Sequence, residues 1–270
     1  MKLEVIPMNQ DYLLFFGNGG GRYNSVTQYL ATGGFQIVIG DKFRIHVDPG
    51  PSTTAYLKQL GISSDTINAI LVTHSHLDHA HDVPVLAEGI RSGKKAPPAG
   101  ILATTPDTIA SLSEYHRDFF KQIYQLSAGD QCTLSEDNGV VVEATRAEHN
   151  KGPQAIGFIV STKGWRVGIT GDTVNFPEFA EVYSRVNILV AYLRGPENYV
   201  SKSHLSLDSL VSSAAEIRKA GHLRAVILTH FGWRITNPGG PIRSQEQAIK
   251  LQNLANVPTH AADLGFKFLL

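Results

Sequence analysis

Cysteine is almost absent from the 270 residues, and Cys132 stands alone. One thiol excludes an internal disulfide framework and a thiolate metal site, so histidines and carboxylates must do any metal binding. Cys132 itself reads as inert packing. Excess charge is missing as well, since Lys plus Arg and Asp plus Glu come to 24 each. Without an overall basic field, a nucleic acid could be held only by local patches. No run approaches the length needed to span a bilayer, and Met1 to Gln10 has no basic segment followed by an apolar core. A cytoplasmic protein with no membrane partner follows. Repeats, low-complexity tracts and linkers are lacking too. With 42% hydrophobic residues the chain can bury a large core, and its length suits one α/β domain over residues 1–270.

What the chain does have is histidine gathered at one place, in Thr73-His74-Ser75-His76-Leu77-Asp78-His79. The stretch follows Ala69-Ile70-Leu71-Val72, a short β-branched run that reads as a buried strand. Residues two apart on an extended chain point the same way, so His74 and His76 can aim at one point above the strand end. A turn toward the helical stretch Asp82 to Ile90 would aim Asp78 and His79 at a neighbouring point. Imidazoles and a carboxylate at this spacing suit zinc, and also iron or manganese. His81 reads as a helix-start histidine rather than a ligand.

The rest alternates between strand and helix signals. Leu3–Ile6 and Tyr12–Phe16 read as strands, and Gly17-Asn18-Gly19-Gly20-Gly21-Arg22 as a turn lining a site edge. It is not a dinucleotide fingerprint, because Tyr23–Leu30 looks extended or irregular. Phe35–Ile39 and Phe43–Val47 form a hairpin about Gly40-Asp41-Lys42. Asp48 then ends a buried strand, either capping the helix expected over Ser52–Leu60 or standing near a cation. Helices are expected over Val83–Arg91, closed by Gly93, after Thr105-Pro106, and over Ser113–Gln122. Further helices are expected over Pro177–Tyr183, Leu207–Lys219 and Ser244–Leu254. Strands are expected at Ile101–Thr104, Val140–Ala144, Ile156–Ser161, Trp165–Ile169, Ile188–Leu193, Ala225–Leu228 and Phe266–Leu269. The order suits an αββα sandwich, two sheets packed face to face with helices outside.

Three later strands end in ligand-type residues, at Glu148-His149-Asn150, Gly171-Asp172-Thr173 and His230-Phe231-Gly232. Each alone suits a turn. With the first cluster they supply donors for two metal positions, Asp172 being available as a bridge.

In this order, Asp48 in Val47-Asp48-Pro49-Gly50, the His74-His76-Asp78-His79 cluster, His149, Gly171-Asp172-Thr173 and Thr229-His230-Phe231 resemble the metallo-β-lactamase-fold hydrolase superfamily. The resemblance implies a first metal on His74, His76 and His149, a second on Asp78, His79 and His230, and Asp172 bridging them. Asp48 would hold a ligand or the cluster backbone in place. The cofactors implied are two divalent ions, zinc first, with manganese or iron admissible; a homodimer is also compatible. Gly19-Gly20-Gly21-Arg22, Thr32-Gly33-Gly34-Phe35 and Asp48-Pro49-Gly50-Pro51 resemble an uncharacterised prokaryotic branch, often archaeal. Ser203-His204-Leu205-Ser206 is similar to the His-x-Ser/Thr element of the phosphodiesterase branch, which includes transfer-RNA 3′-processing endonucleases. The chain lacks the long basic insertion and the Pro-x-Lys-x-Arg-Asn stretch of those endonucleases, which argues against full transfer-RNA processing.

The function expected is therefore a dinuclear metal-dependent hydrolase of a small or short phosphodiester. A metal-bridging hydroxide would attack phosphorus, Asp78 and His204 would be the catalytic residues, and His204 as imidazolium would aid the leaving group. A carbon-centred hydrolase of a lactone, thioester or amide is the alternative. A non-catalytic binding module is the third reading, and the filled ligand positions argue against it.

Overall fold

Ala69 and Leu71 face one way and Ile70 and Val72 the other, and all four are buried. A strand apolar on both sides needs cover on both, which sets the layering. The computed structural model describes residues 10–92, 96–149, 152–236 and 243–270; the strand expected at Leu3–Ile6 and the closing Gly93 lie outside them. The first sheet takes β1 (Tyr12–Gly17), β2 (Thr32–Ile39), β3 (Phe43–Val47), β4 (Ala69–Val72), β5 (Ile101–Thr104) and β6 (Gln122–Gln125). The second takes β7 (Gln131–Ser135), β8 (Val140–Arg146), β9 (Ile156–Ser161), β10 (Arg166–Ile169), β11 (Ile188–Gly195), β12 (Leu205–Ser206), β13 (Ala225–Thr229) and β14 (Thr259–Ala261). The last strand, β15 (Lys267–Leu269), returns to pair antiparallel with β1. Helices α1 (Gly21–Thr27), α2 (Thr53–Gln59), α3 (Leu77–Ala80), α4 (Val83–Arg91), α5 (Pro106–Ser111) and α6 (Glu114–Arg117) belong to the first half. The second half carries α7 (Phe179–Val182), α8 (Leu207–Lys219), α9 (Trp233–Thr236) and α10 (Ser244–Ala255).

Alternation assigns each face. Ala69 and Leu71 join Ile188, Val190 and Tyr192 of β11 in the core between the sheets. Ile70 and Val72 pack instead with Val83, Leu86 and Ile90 of α4. On the other side Leu189, Ala191 and Leu193 meet Leu210, Ala214 and Ile217 of α8 and Leu251 of α10. This is the αββα sandwich expected from the sequence, with mixed sheets.

Strand direction positions the site. β1 and β3 both run antiparallel to β2, and β4 runs parallel to β3. In the second sheet β8 and β10 both oppose β9, while β11 and β13 run parallel to β10. Within each sheet, then, the strands that lead into the donor segments share one direction.

Two expectations fail locally. Residues after Gly20 form α1 rather than an extended segment, because buried Asn24 bonds the Phe231 carbonyl at 2.8 Å and the Leu30 amide at 3.3 Å, tying one helical turn to the fold. The helix expected over Ser113–Gln122 stops after α6: Phe119 and Phe120 are buried, and Gln122–Gln125 pairs with β5 instead. Tertiary packing and ladder hydrogen bonds outweigh weak local helix preference there. Helix α4 ends at Ser92 in a left-handed cap.

Candidate metal centre

The turn after β4 does what the histidine spacing requires. His74 is fully buried at the strand end, His76 precedes α3, and α3 carries Asp78 and His79. His74 Nε2 lies 2.9 Å from His76 Nδ1, and His149 Nε2 lies 3.2 Å from the same atom. Beside them, His230 Nε2 is 3.1 Å from both His79 Nε2 and Asp78 Oδ2, and His79 Nε2 is 3.4 Å from Asp78 Oδ2. Asp172 lies between the groups, its Oδ2 3.8 Å from His74 and 3.6 Å from His79, its Oδ1 3.2 Å from His230.

Other contacts fix which nitrogen faces inward. His79 Nδ1 donates to Asp48 Oδ2 at 2.9 Å, and His149 Nδ1 donates to the Ser203 carbonyl at 3.0 Å. Their Nε2 lone pairs are thereby left toward the cluster. Asp48 also accepts from the Thr73 amide (2.7 Å), the Thr73 hydroxyl (2.9 Å) and the Tyr192 hydroxyl (2.7 Å). It therefore braces the cluster and does not cap α2, where the Thr54 amide of the first turn donates to Asp82 Oδ2 at 3.3 Å instead.

The donor set fits divalent cations. Nitrogens held tetrahedrally at about 2.0–2.1 Å from zinc stand about 3.4 Å apart, close to the separations here. Asp172 Oδ1 is buried and receives no hydrogen bond from the described residues. A buried carboxylate oxygen in that state calls for a cation. Burial opposes ionisation of both aspartates, yet His79 beside Asp78 and His230 beside Asp172 hold them well below the usual carboxylate range. Burial, with neighbouring imidazoles, pushes His74 and His76 down, leaving them neutral as ligands must be. Burial lowers His79 as well, but Asp78, Asp48 and Asp172 outweigh it and hold this ring well above its ordinary value. The carboxylates thus draw a positive charge into the cluster, which a bound cation would supply in place of that proton.

A family model described as the β-lactamase superfamily domain matches residues 43–231. The chain belongs to that superfamily. It is 33% identical to an uncharacterized protein of Methanocaldococcus jannaschii over 261 residues, 94% of this chain and 93% of that one. It is 25% identical to the ribonuclease Z of Pyrobaculum aerophilum over 71% of this chain and 77% of that one. The crystal structure of the metallo-β-lactamase fold protein YhfI from Bacillus subtilis superposes with a TM-score of 0.77 at 16% identity, covering 97% of this chain and 100% of that one. This is a hydrolase superfamily, and the αββα frame and the His/Asp clusters are those of a metal-binding member.

His204 lies at the same centre, with Nδ1 3.4 Å from Asp172 Oδ2. Ser206 caps α8 in a reciprocal box with Ser209, and His204 faces the cavity. Burial pushes His204 down to about 4 against the pull of Asp172, so the resting ring is neutral, not the imidazolium expected. His81 stands apart, half exposed, with Nδ1 2.8 Å from Asp82. Sequence reasoning did not single out Arg194 and Tyr192. Both lie near the end of β11, where a tyrosine and an arginine interrupting an apolar run were the available signal.

The glycine-rich loop owes its composition to these neighbours. A Cβ on Gly20 would sit 2.3 Å from the His230 ring, and one on Gly21 would sit 2.0 Å from the Arg194 guanidinium. The loop makes room for a ligand-type histidine and an arginine, and its Gly20 carbonyl accepts from Arg194 Nη1.

Proposed function

We propose that the protein is a dinuclear metal-dependent phosphodiesterase. His74, His76 and His149 would hold one ion, Asp78, His79 and His230 the other, and Asp172 would bridge them. Zinc suits this set best. Bound there, the ions supply a water-derived nucleophile at neutral pH and neutralise phosphoryl charge. The observation that carries the phosphodiester reading is a cation beside a neutral hydrogen-bond donor: Arg194 and His204 line the cavity of about 290 Å³ at the donor cluster. Arg194 has no carboxylate partner among the described residues. It would bind a phosphoryl oxygen, while the neutral His204 donates a hydrogen bond to the leaving oxygen. The likeness to a relative named ribonuclease Z points the same way.

His204→Ala tests this on protein shown by elemental analysis to hold two metals per chain. Turnover should fall roughly 10²–10⁴-fold on a diester with a poor leaving group, and less on bis-nitrophenyl phosphate, with metal content unchanged. Unaltered turnover on every phosphodiester would reject the assignment. Lactone or thioester hydrolysis surviving in that variant would favour the carbon-centred hydrolase.

A further inference from the structure

Arg22 and Arg194 border two spaces at once. One is the cavity at the donor cluster; the other is a trough of about 610 Å³ lined by Arg22, Tyr23, Val26, Arg194 and Trp233. Arg22, Val26 and Arg194 line both, so the two spaces are neighbours. Trp233 is 50% exposed at the start of α9, a large apolar surface left in water. A single exposed aromatic means little. Here, however, the ring lies beside a reaction cavity, and Arg234 sits 5.2 Å from its centroid. The lining contains no carboxylate, and neither Arg22 nor Arg194 has one as a partner among the described residues. Gly232 keeps this geometry tight, since a Cβ there would stand 2.5 Å from the Arg194 carbonyl and 3.0 Å from its side chain. An aromatic face next to unpaired cations is the chemistry that takes a base with its phosphate: the ring stacks on any base, and the arginines hold the anion.

We infer that this trough is a nucleobase subsite, Trp233 and Tyr23 taking the base while Arg22 and Arg194 hold the phosphate that carries it. The substrate class is then a nucleotide phosphodiester. This rests on the phosphodiesterase reading for its chemistry, but the subsite can be tested without turnover.

Calorimetry and tryptophan fluorescence on metal-loaded protein would compare adenosine 5′-monophosphate, ribose 5-phosphate and octyl phosphate. Only two tryptophans are present, and Trp165 is buried with its Nε1 bonded to Asp11 at 2.7 Å, so quenching reports Trp233. Adenosine monophosphate should quench and bind roughly 5–100-fold more tightly than ribose 5-phosphate, the usual range for one stacked base. Trp233→Ala should abolish that preference and leave ribose 5-phosphate affinity unchanged, while Trp233→Phe keeps part of it. Equal affinity for the nucleotide and ribose 5-phosphate would overturn the subsite. Octyl phosphate binding as tightly as the nucleotide would overturn it too, in favour of an apolar chain. A base preference without phosphodiester hydrolysis would leave the subsite standing and sink the catalytic reading; hydrolysis without a base preference would do the reverse.

Discussion

Asp48 makes four contacts with its two oxygens, and each matters to His79. The Thr73 amide, the Thr73 hydroxyl, the Tyr192 hydroxyl and His79 Nδ1 all donate to it. It is held at φ +50, a left-handed conformation that a side-chain-bearing residue keeps only when its surroundings demand it. An asparagine would put an NH₂ against one of these donors. Facing His79 Nδ1, it would favour the other tautomer and turn an N–H toward the cluster. Asp48→Asn should therefore weaken metal binding roughly 10–100-fold while the fold survives. Competition with a chelator measures this, and unchanged affinity would show that Asp48 only braces the backbone of Thr73. Sequence alone left Asp48 between a helix cap and a neighbour of a cation, because both roles want a carboxylate at a strand end. The contacts with His79, 31 residues away, and Tyr192, 144 residues away, decide between them. Arg194 gave only a weak signal for the same reason: its place is set by Gly20, 174 residues away, whose carbonyl it bonds.

Among the elements, the loop before α1 and the segment before α8 each serve two neighbours. Gly21 has φ +74 and faces the Arg194 guanidinium, so alanine there would be strained and would displace the arginine. Its amide also donates to Asp78 Oδ2. Gly21→Ala should cost about 1–2 kcal/mol of stability for the left-handed backbone. It should also raise KM for a phosphodiester roughly 10–100-fold, the weight of one lost charge-assisted contact. Urea titration and steady-state kinetics separate the two, and an unaltered KM beside a lowered urea midpoint would remove Arg194 from substrate binding. The long apolar elements were legible because their periodicity is also their packing: α8 runs over Leu207–Lys219 and α4 over Val83–Arg91, as their spacing predicts. Short elements such as α1 and β6 were not. Their form depends on Asn24 reaching Phe231 and on β5 offering a free edge, which no local window contains.

Across the whole molecule, shared strand direction brings together residues as far apart as Asp78 and His230, 152 positions along the chain. The ordered motifs revealed that convergence because each ligand-type residue follows an apolar strand. What they could not reveal is how the remaining histidines are spent. His46 lies on β3, fully buried, with Nε2 2.8 Å from the Gly33 carbonyl and its ring 5.3 Å from that of Phe16. Burial pushes its pKa down to about 4 from an ordinary 6.5. Between these values the unfolded chain binds the proton and the folded chain refuses it, so stability is complete above about 6.5 and is lost as pH falls toward 4. At pH 5 this one ring should cost about 2 kcal/mol relative to pH 7.5. The other histidines titrate too, but they are common to a His46→Gln variant, whose side chain stays uncharged and can still donate toward Gly33. Subtracting the two proteins' urea-derived stabilities at pH 7.5 and pH 5 therefore isolates His46. The wild type should lose about 2 kcal/mol more than the variant over that interval. Parallel losses would mean that the buried ring accepts its proton without cost, and that the acid sensitivity of the fold lies elsewhere, at the metal-ligand cluster.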